Sequence, residues 1–218
     1  MNEDRSTLRV EPRLVVSWLA ARSIGRGLPA PAPDRGGWRV DTNSAKEQRR
    51  WVFPQMHEGL VWLGREISAP RHFLKLCGTD RALRRALPSR WEIQAAEYLM
   101  MTQAASPASR PAPEDYRLEV DALGCTTRVR VLASDGSLAA SGYATETADV
   151  FAYDRIETAD AHRRRGLGQA VMTALAARQL SPAATQILVA TDEGRSLYES
   201  LGWRVASPWA TATIPIDG

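Results

Sequence analysis

The segment from Val150 to Leu175 restricts the fold of this chain more than any other. Val150 to Thr158 reads as a strand, and the run AHRRRGLGQAVMTAL, Ala161 to Leu175, follows it. Gly166 opens a helix on which Leu167, Val171, Ala174 and Leu175 share one face. A strand feeding an amphipathic helix of this kind needs a sheet to pack on. The turn between them also carries chemistry. Arg163, Gly166 and Gly168 fit R-x-x-G-x-G. A helix start offers N–H groups without partners and the positive end of the dipole. Glycine removes the side chain that would block a bulky anion, and Arg163, Arg164 and Arg165 add charge. Such a turn can cradle a pyrophosphate; the plain alternative is a basic turn that caps a helix. No Gly-Lys-Ser/Thr follows, so it is not a Walker loop, and its glycines do not fit G-x-G-x-x-G.

The rest of the chain falls into two halves. Residues 104–115 read AASPASRPAPED, a Pro/Ala-rich joint expected to be extended. It separates a first half, 1–103, from a second, 116–218. In the first half, Leu14 to Ala21 predicts a short helix ending near Gly25 and Gly27, and Trp38 to Asp41 a strand. Ser44 and Glu47 have capping-box spacing and predict a helix to about Phe53. Further on we expect a helix at Glu58 to Ile67, a strand at His72 to Cys77, a helix at Asp80 to Leu87 and mostly strand from Trp91 to Met101. In the second half, Arg117 to Val120 and Thr126 to Leu132 alternate as strands do. Asp135-Gly136 supplies a hairpin turn into Ser137 to Glu146. Gln186 to Ala190 is an apolar strand, and a helix over Glu193 to Ser200 turns at Leu201-Gly202-Trp203 into a last strand. The expected fold class is α/β: a mixed, mostly antiparallel sheet with helices on both faces. Phe73 to Ile93 also echoes Ile187 to Val205 as strand, turn, helix and Trp-led strand. In that alignment Arg84 stands opposite Tyr198, and the first half has no second R-x-x-G-x-G.

Composition narrows the class. At 218 residues with 44% hydrophobic and 24% charged residues, the chain can bury a core without staples. Two cysteines, Cys77 and Cys125, predict neither a disulfide framework nor a zinc site, and no metal is expected. The longest apolar stretch is far short of a bilayer span, and Met1 to Val10 does not read as a signal peptide. The expectation is a cytoplasmic protein without a membrane partner. The net charge of +3 comes from basic residues scattered through both halves, with no aromatic–basic platform, so nucleic acid is not an expected partner.

The second half resembles the GNAT superfamily of acyl-CoA-dependent N-acetyltransferases. That family's order is a hairpin, a bulged strand, R/Q-x-x-G-x-G/A into a helix, a strand, then a short helix ending in Leu-Tyr and a Gly-aromatic pair. Here the same order reads SLAASGYATE, VFAYDRIETADAHRRRGLG, ILVAT and RSLYESLGW. The resemblance implies a GNAT fold preceded by a degenerate GNAT-like first half that contributes to the acceptor site. It implies acetyl-CoA as cosubstrate. Backbone groups near Ile156, Glu157 and Thr158 would pair with the pantetheine arm, and Arg163, Arg164, Arg165, Gly166, Leu167, Gly168 and Gln169 would hold the pyrophosphate. Tyr198 matches the general acid that protonates the leaving thiolate; an unperturbed phenol pKa of ~10 suits that task. Carboxylates on or before the bulged strand are Glu146, Asp149, Asp154 and Glu157, and Asp154 and Glu146 are the candidate bases. Thr191-Asp192 stands where many members have Asn, so that residue's cofactor contact is not carried over.

The acceptor is expected to be the primary amine of a small molecule. The layout of the first half resembles bacterial acetyltransferases, some of them similar to the aminoglycoside 2'-N-acetyltransferases that modify kasugamycin, so antibiotic resistance is one expected role. The alternatives are acetylation of a protein N-terminus or lysine, and a non-catalytic acyl-CoA-binding regulator. Indoles can stack on sugars or cations, and Trp18, Trp38, Trp51, Trp62, Trp91, Trp203 and Trp209 are candidates, although most tryptophans pack cores. Either a monomer or a homodimer fits the sequence.

Overall fold

In the computed structural model, residues 10–102 and 113–216 are described; most of the Pro/Ala-rich joint lies outside them. The first half runs α1 (Pro12–Gly25), β1 (Ala32–Asp34), β2 (Gly37–Asp41), β3 (Arg49–Phe53), α2 (Glu58–Glu66), β4 (His72–Cys77), α3 (Asp80–Ala86), β5 (Glu92–Ile93) and β6 (Glu97–Thr102). The second runs β7 (Tyr116–Leu123), β8 (Thr126–Ala133), β9 (Leu138–Glu146), β10 (Val150–Thr158), α4 (Leu167–Ala176), β11 (Thr185–Thr191), α5 (Asp192–Ser200) and β12 (Arg204–Thr213).

Local chemistry explains most boundaries. Pro12 starts α1 where a missing N–H costs nothing. Thr79 caps α3 and Thr191 caps α5, each accepting a backbone N–H from three residues on. Asp135 accepts from Ser137 N at 2.9 Å, and Gly136 takes the positive φ that the β8–β9 turn requires.

One expected helix is a strand. Ser44 and Glu47 do bond each other, with Glu47 N to Ser44 Oγ at 3.0 Å, but they close a turn. Beyond it Arg49–Phe53 pairs with β2 on one side and β4 on the other. Trp51, Val52 and Phe53 are buried on alternating faces, a position that suits aromatic and β-branched residues. The expected strand from Trp91 to Met101 is also interrupted, giving the two-residue β5 and then β6.

The twelve strands among the described residues join one sheet, ordered β1-β2-β3-β4-β12-β6-β11-β10-β9-β8-β7, with β5 also on β12. β3–β4 and β10–β11 are parallel pairs, crossed by α2 and α4 respectively; the other named pairs are antiparallel. The central order β4-β12-β6-β11 reads the same backwards when the halves are exchanged. Each half has therefore passed its closing strand to the other: β12 lies on β4, and β6 on β11. In the echo between Phe73–Ile93 and Ile187–Val205, β4 and α3 correspond to β11 and α5, but the counterpart of β12 in the sheet is β6 and not the Trp91-led β5.

Three apolar clusters hold the layers together. One packs α4 and α5 on the second half, around Val171, Leu175 and Trp203. A second packs α2 and α3 on the first half, around Leu60, Leu83 and Trp91. The third lies on the opposite face, where α1 crosses the centre of the sheet. There Trp18 meets Trp209 edge-on at 4.9 Å. Burying each such side chain contributes about 1.5–3 kcal/mol, so α1 is bound to strands of both halves.

Candidate active site

The sheet opens at its one parallel pair in the second half. β10 and β11 are in register only from Val150↔Thr185 to Ala152↔Ile187, and then diverge. On its other edge β10 carries a bulge. Asp154 faces Tyr143 and Glu157 faces Ser141, so Arg155 and Ile156 together oppose Gly142. Arg155 takes φ 53° there, a left-handed conformation that costs a non-glycine residue about 1–2 kcal/mol. Its side chain repays part of this. Arg155 Nη2 donates to Gly25 O at 2.7 Å, and the guanidinium lies 3.7 Å from the Tyr143 ring centroid.

Two cavities meet at this opening. A cleft of about 890 Å³ runs from the bulge to the start of α4. It is lined by Ile156, Glu157, Thr158, Arg163, Arg164, Gly166, Leu167, Gly168 and Gln169. Gly166 caps α4 at φ 78° without any side-chain cap, so the first-turn amides face the cleft as an anion site requires. Arg165 does not line it; Arg165 Nη1 donates to Tyr116 Oη at 3.1 Å. Arg163 does line it while pairing with Glu193 and Asp160, both at 3.0 Å.

On the other side of the opening lies a smaller cavity of about 300 Å³. Trp18, Arg22, Lys75 and Glu97 come to it from the first half; Tyr153, Asp154, Arg155, Leu188 and Trp209 come from the second. Ile156, Glu157, Thr191, Gly194 and Tyr198 line both cavities and form the joint. Tyr198 sits on α5, and only 7% of its surface is exposed. Burial pushes its phenol up to about 12. Tyr153 lies deeper and donates to Gln186 Oε1 at 2.7 Å.

The two candidate bases have partners of different kinds. Asp154 is clamped by α1. Arg26 Nε and Nη2 reach it at 2.5 and 2.8 Å, Arg22 Nε at 3.3 Å, and Arg155 Nε at 3.5 Å. Burial alone raises its pKa, but the Arg26 hydrogen bond and the charges of Arg22, Arg26 and Arg155 outweigh that and hold it below the usual range. Glu146 is not brought to the opening. At the far end of β9 it accepts Leu180 N at 2.8 Å and Ser181 N at 2.7 Å. Of the other two carboxylates, Asp149 accepts from Ser17 Oγ at 2.9 Å, while Glu157 is exposed at the joint.

Sequence reasoning did not single out Arg22, Lys75 and Glu97. Lys75 Nζ donates to Thr211 Oγ1 at 3.0 Å and lies 3.9 Å from Glu97. Burial lowers its pKa to about 8, with Glu97 opposing. The available signal was a single charge within an apolar strand, FLKLC, at a position facing α1. Of the seven tryptophans, Trp18 and Trp209 line the small cavity, whereas Trp62 is exposed beneath the Arg35 guanidinium.

The equivalent places in the first half are built differently, although a cavity of about 460 Å³ lies at the start of α2, lined by Arg35, His57, Glu58, Gly59, Val61, Trp62 and Arg65. β3 and β4 stay in register over five residues, from Arg49↔His72 to Phe53↔Leu76. The start of α2 is occupied: His57 Nδ1 accepts Gly59 N at 3.0 Å, and a Cβ at Gly59 would come within 1.7 Å of Arg35 O. Arg84, opposite Tyr198 in the echo, donates to Leu87 O at 2.7 Å and Pro88 O at 2.5 Å.

Splayed parallel strands, a facing bulge and a glycine-led helix start occur together in a known architecture. The fold is that of the GNAT acetyltransferases. A GCN5-related N-acetyltransferase from Kribbella flavida superposes with a TM-score of 0.64 at 15% identity, covering 93% of this chain and 96% of that one. A GNAT-family structure from Novosphingobium aromaticivorans gives 0.57 at 17%, over 94% and 96%. A tandem GNAT protein from the clavulanic acid biosynthesis pathway gives 0.58 at 12%, over 99% and 97%. The last agrees with the two-half arrangement. No protein-family model matches the sequence, and no curated protein does. Among the described residues no helix is long and apolar enough to cross a membrane. Among them, too, no group of three or more His, Cys, Asp or Glu side chains could hold a metal ion.

Proposed function

We propose that this protein is an N-acetyltransferase that moves the acetyl group of acetyl-CoA to the primary amine of a small molecule in the cytoplasm. One observation carries the reading. A cleft suited to a nucleotide pyrophosphate and a smaller, partly enclosed cavity suited to a small amine meet at the Tyr198 side chain. The α4 amides from Gly166 onward, with Arg163 and Arg164, hold the anionic end of the cosubstrate. The backbone of Ile156 to Thr158, turned away from β11, takes its amide-bearing arm.

Acetyl-CoA supplies a thioester carbonyl. The amine nitrogen attacks that carbon, the carbon–sulfur bond breaks, and the thiolate takes a proton from Tyr198 Oη. A buried phenol raised to about 12 holds its proton at neutral pH and can give it up as the thiolate forms. The ammonium form of the acceptor must first lose a proton. Asp154, saturated by three guanidinium groups, is a weak acceptor, and Glu146 lies elsewhere. We assign that step to Glu157 at the joint, directly or through water.

A cavity of about 300 Å³ favours a small molecule over a peptide. We carry forward the amine and not the aminoglycoside, because a polycation would meet Arg22, Lys75 and Arg155 at the cavity wall. The test is release of free thiol from acetyl-CoA by purified protein supplied with panels of amines, amino acids and peptides. Turnover of small amines with loss of rate in Tyr198→Phe supports the reading. Binding of acetyl-CoA with no turnover of any acceptor supports the non-catalytic alternative.

A further inference from the structure

The acceptor cavity is polarised. Near its α1 side stand Arg22, Arg26, Arg155 and Lys75, against the carboxylates of Asp154 and Glu97. Glu157 stands at the joint with the cosubstrate cleft, within electrostatic reach of Arg26. The pairing is also uneven. Three guanidinium groups share the single Asp154 carboxylate. Among the described residues Arg22 reaches it through Nε, at 3.3 Å, and the two terminal nitrogens of its fork show no hydrogen bond. The Arg22 side chain keeps 19% of its surface exposed and lines the cavity. Lys75 Nζ spends one N–H on Thr211 Oγ1 at 3.0 Å, and Thr211 Oγ1 in turn donates to Glu97 Oε2 at 3.1 Å. That carboxylate is 3.9 Å from Nζ, beyond a good hydrogen bond.

Leaving cations short of partners inside a protein is costly, and they are retained where a ligand completes them. Burial lowers Arg22 to about 10 against the pull of Asp154, and Lys75 to about 8 against that of Glu97, with neighbouring arginines adding to both shifts. An arginine fork beside a point-charge lysine is a good receiver for a carboxylate. Trp18 and Trp209 wall the space with apolar surface and so strengthen any charge pair formed there.

We propose that the acceptor carries a carboxylate as well as an amine, with the carboxylate held by Arg22 and Lys75 while the amine points to the joint at Tyr198 and Glu157. This rests on the acetyltransferase reading and narrows it to amino acids and related zwitterions. The excess of cations over carboxylates around Arg22 and Lys75, with the Glu157 carboxylate at the joint, favours one direction for such a molecule. Three strand spacings, about 14 Å of sheet, separate β4 from β11. The lysine side chain and the acceptor together have to bridge part of that distance, which favours a carboxylate several bonds from the amine.

The experiment compares matched pairs. Glycine, β-alanine, γ-aminobutyrate, aspartate and glutamate are offered with acetyl-CoA, each beside its carboxamide, and thiol release is followed. The carboxylate member of the best pair should show a kcat/KM at least about tenfold higher, a modest expectation for one charge-assisted contact. Lys75→Met should bring that ratio toward one, and acetyl-CoA affinity measured by calorimetry should not change. Arg22→Lys, which keeps the charge and loses the fork, should reduce the ratio in a protein that still folds. Carboxamides turned over as well as carboxylates, or a ratio unmoved in both variants, overturn the proposal. Wild-type protein that binds acetyl-CoA but turns over no carboxylated amine also overturns it and leaves the cosubstrate cleft standing. Protein that does not bind acetyl-CoA at all defeats the acetyltransferase reading instead.

Discussion

Gly142 of β9 lies against the bulged Ile156 of β10: a Cβ at position 142 would come within 2.5 Å of Ile156 Cδ1 and 2.6 Å of Val171 Cγ1. The absence of a side chain on one strand thus makes room for the extra residue on its neighbour. Through that residue it shapes the backbone that lines the larger cleft.

Gly142→Ala should therefore weaken both the fold and the cleft. Overpacking costs about 1–3 kcal/mol, so the urea midpoint should fall while the KM for acetyl-CoA rises. A variant with an unchanged midpoint and KM would show that the bulge does not depend on this glycine.

Tyr198→Phe keeps the ring in its cluster with Trp203 and removes the proton. Turnover should drop by about 10²–10⁴-fold with acetyl-CoA affinity preserved. Because the phenol is pushed up to about 12, the wild-type rate should show no fall from tyrosine ionisation as the pH rises to ten. A loss of rate centred nearer nine, absent in Tyr198→Phe, would contradict the assignment.

How much of this was legible in the sequence depended on how local the signal was. The strand–turn–helix at Val150 to Leu175 came out as read, because a glycine cap and a helical apolar stripe are set by neighbours along the chain. Arg49–Phe53 did not, because Ser44 and Glu47 satisfy a turn as well as a helix cap. Pairing of Trp51 and Phe53 between β2 and β4 decided the outcome, and those partners are distant in sequence. That the bulge and the start of α4 would share one cleft was legible in the same local way, apart from Arg165, which Tyr116 draws aside. The smaller cavity was not. Arg22, Lys75, Glu97 and Asp154 meet only because the closing strands are exchanged and α1 crosses the middle of the sheet.

Asp154 ties α1 to the bulge, and its loss should be visible as a pH effect. Its pKa is lower in the folded protein than the unfolded value of ~3.9. Its stabilisation is therefore fully present above about pH 4 and is lost as the pH falls through the folded value. Asp154→Asn leaves Arg22 and Arg26 without their carboxylate and should cost roughly 3 kcal/mol at pH 7, toward the low end for breaking a buried pair. The gap from wild type in chemical denaturation should shrink as the pH is lowered below 4. A gap that stays constant from pH 7 to pH 3 would mean the pair contributes nothing through its charge.

The halves differ at their helix starts: the glycine-led start of α4 has no side-chain cap, whereas at α2 His57 Nδ1 takes the Gly59 amide and Arg35 O crowds Gly59. Titration of the full chain with acetyl-CoA in a calorimeter measures this directly. The prediction is one molecule bound per chain, with Gly168→Val folded but binding at least tenfold more weakly, because the added side chain crowds Leu197 and the cleft wall. Two molecules per chain, no binding, or an affinity unchanged by Gly168→Val would contradict it.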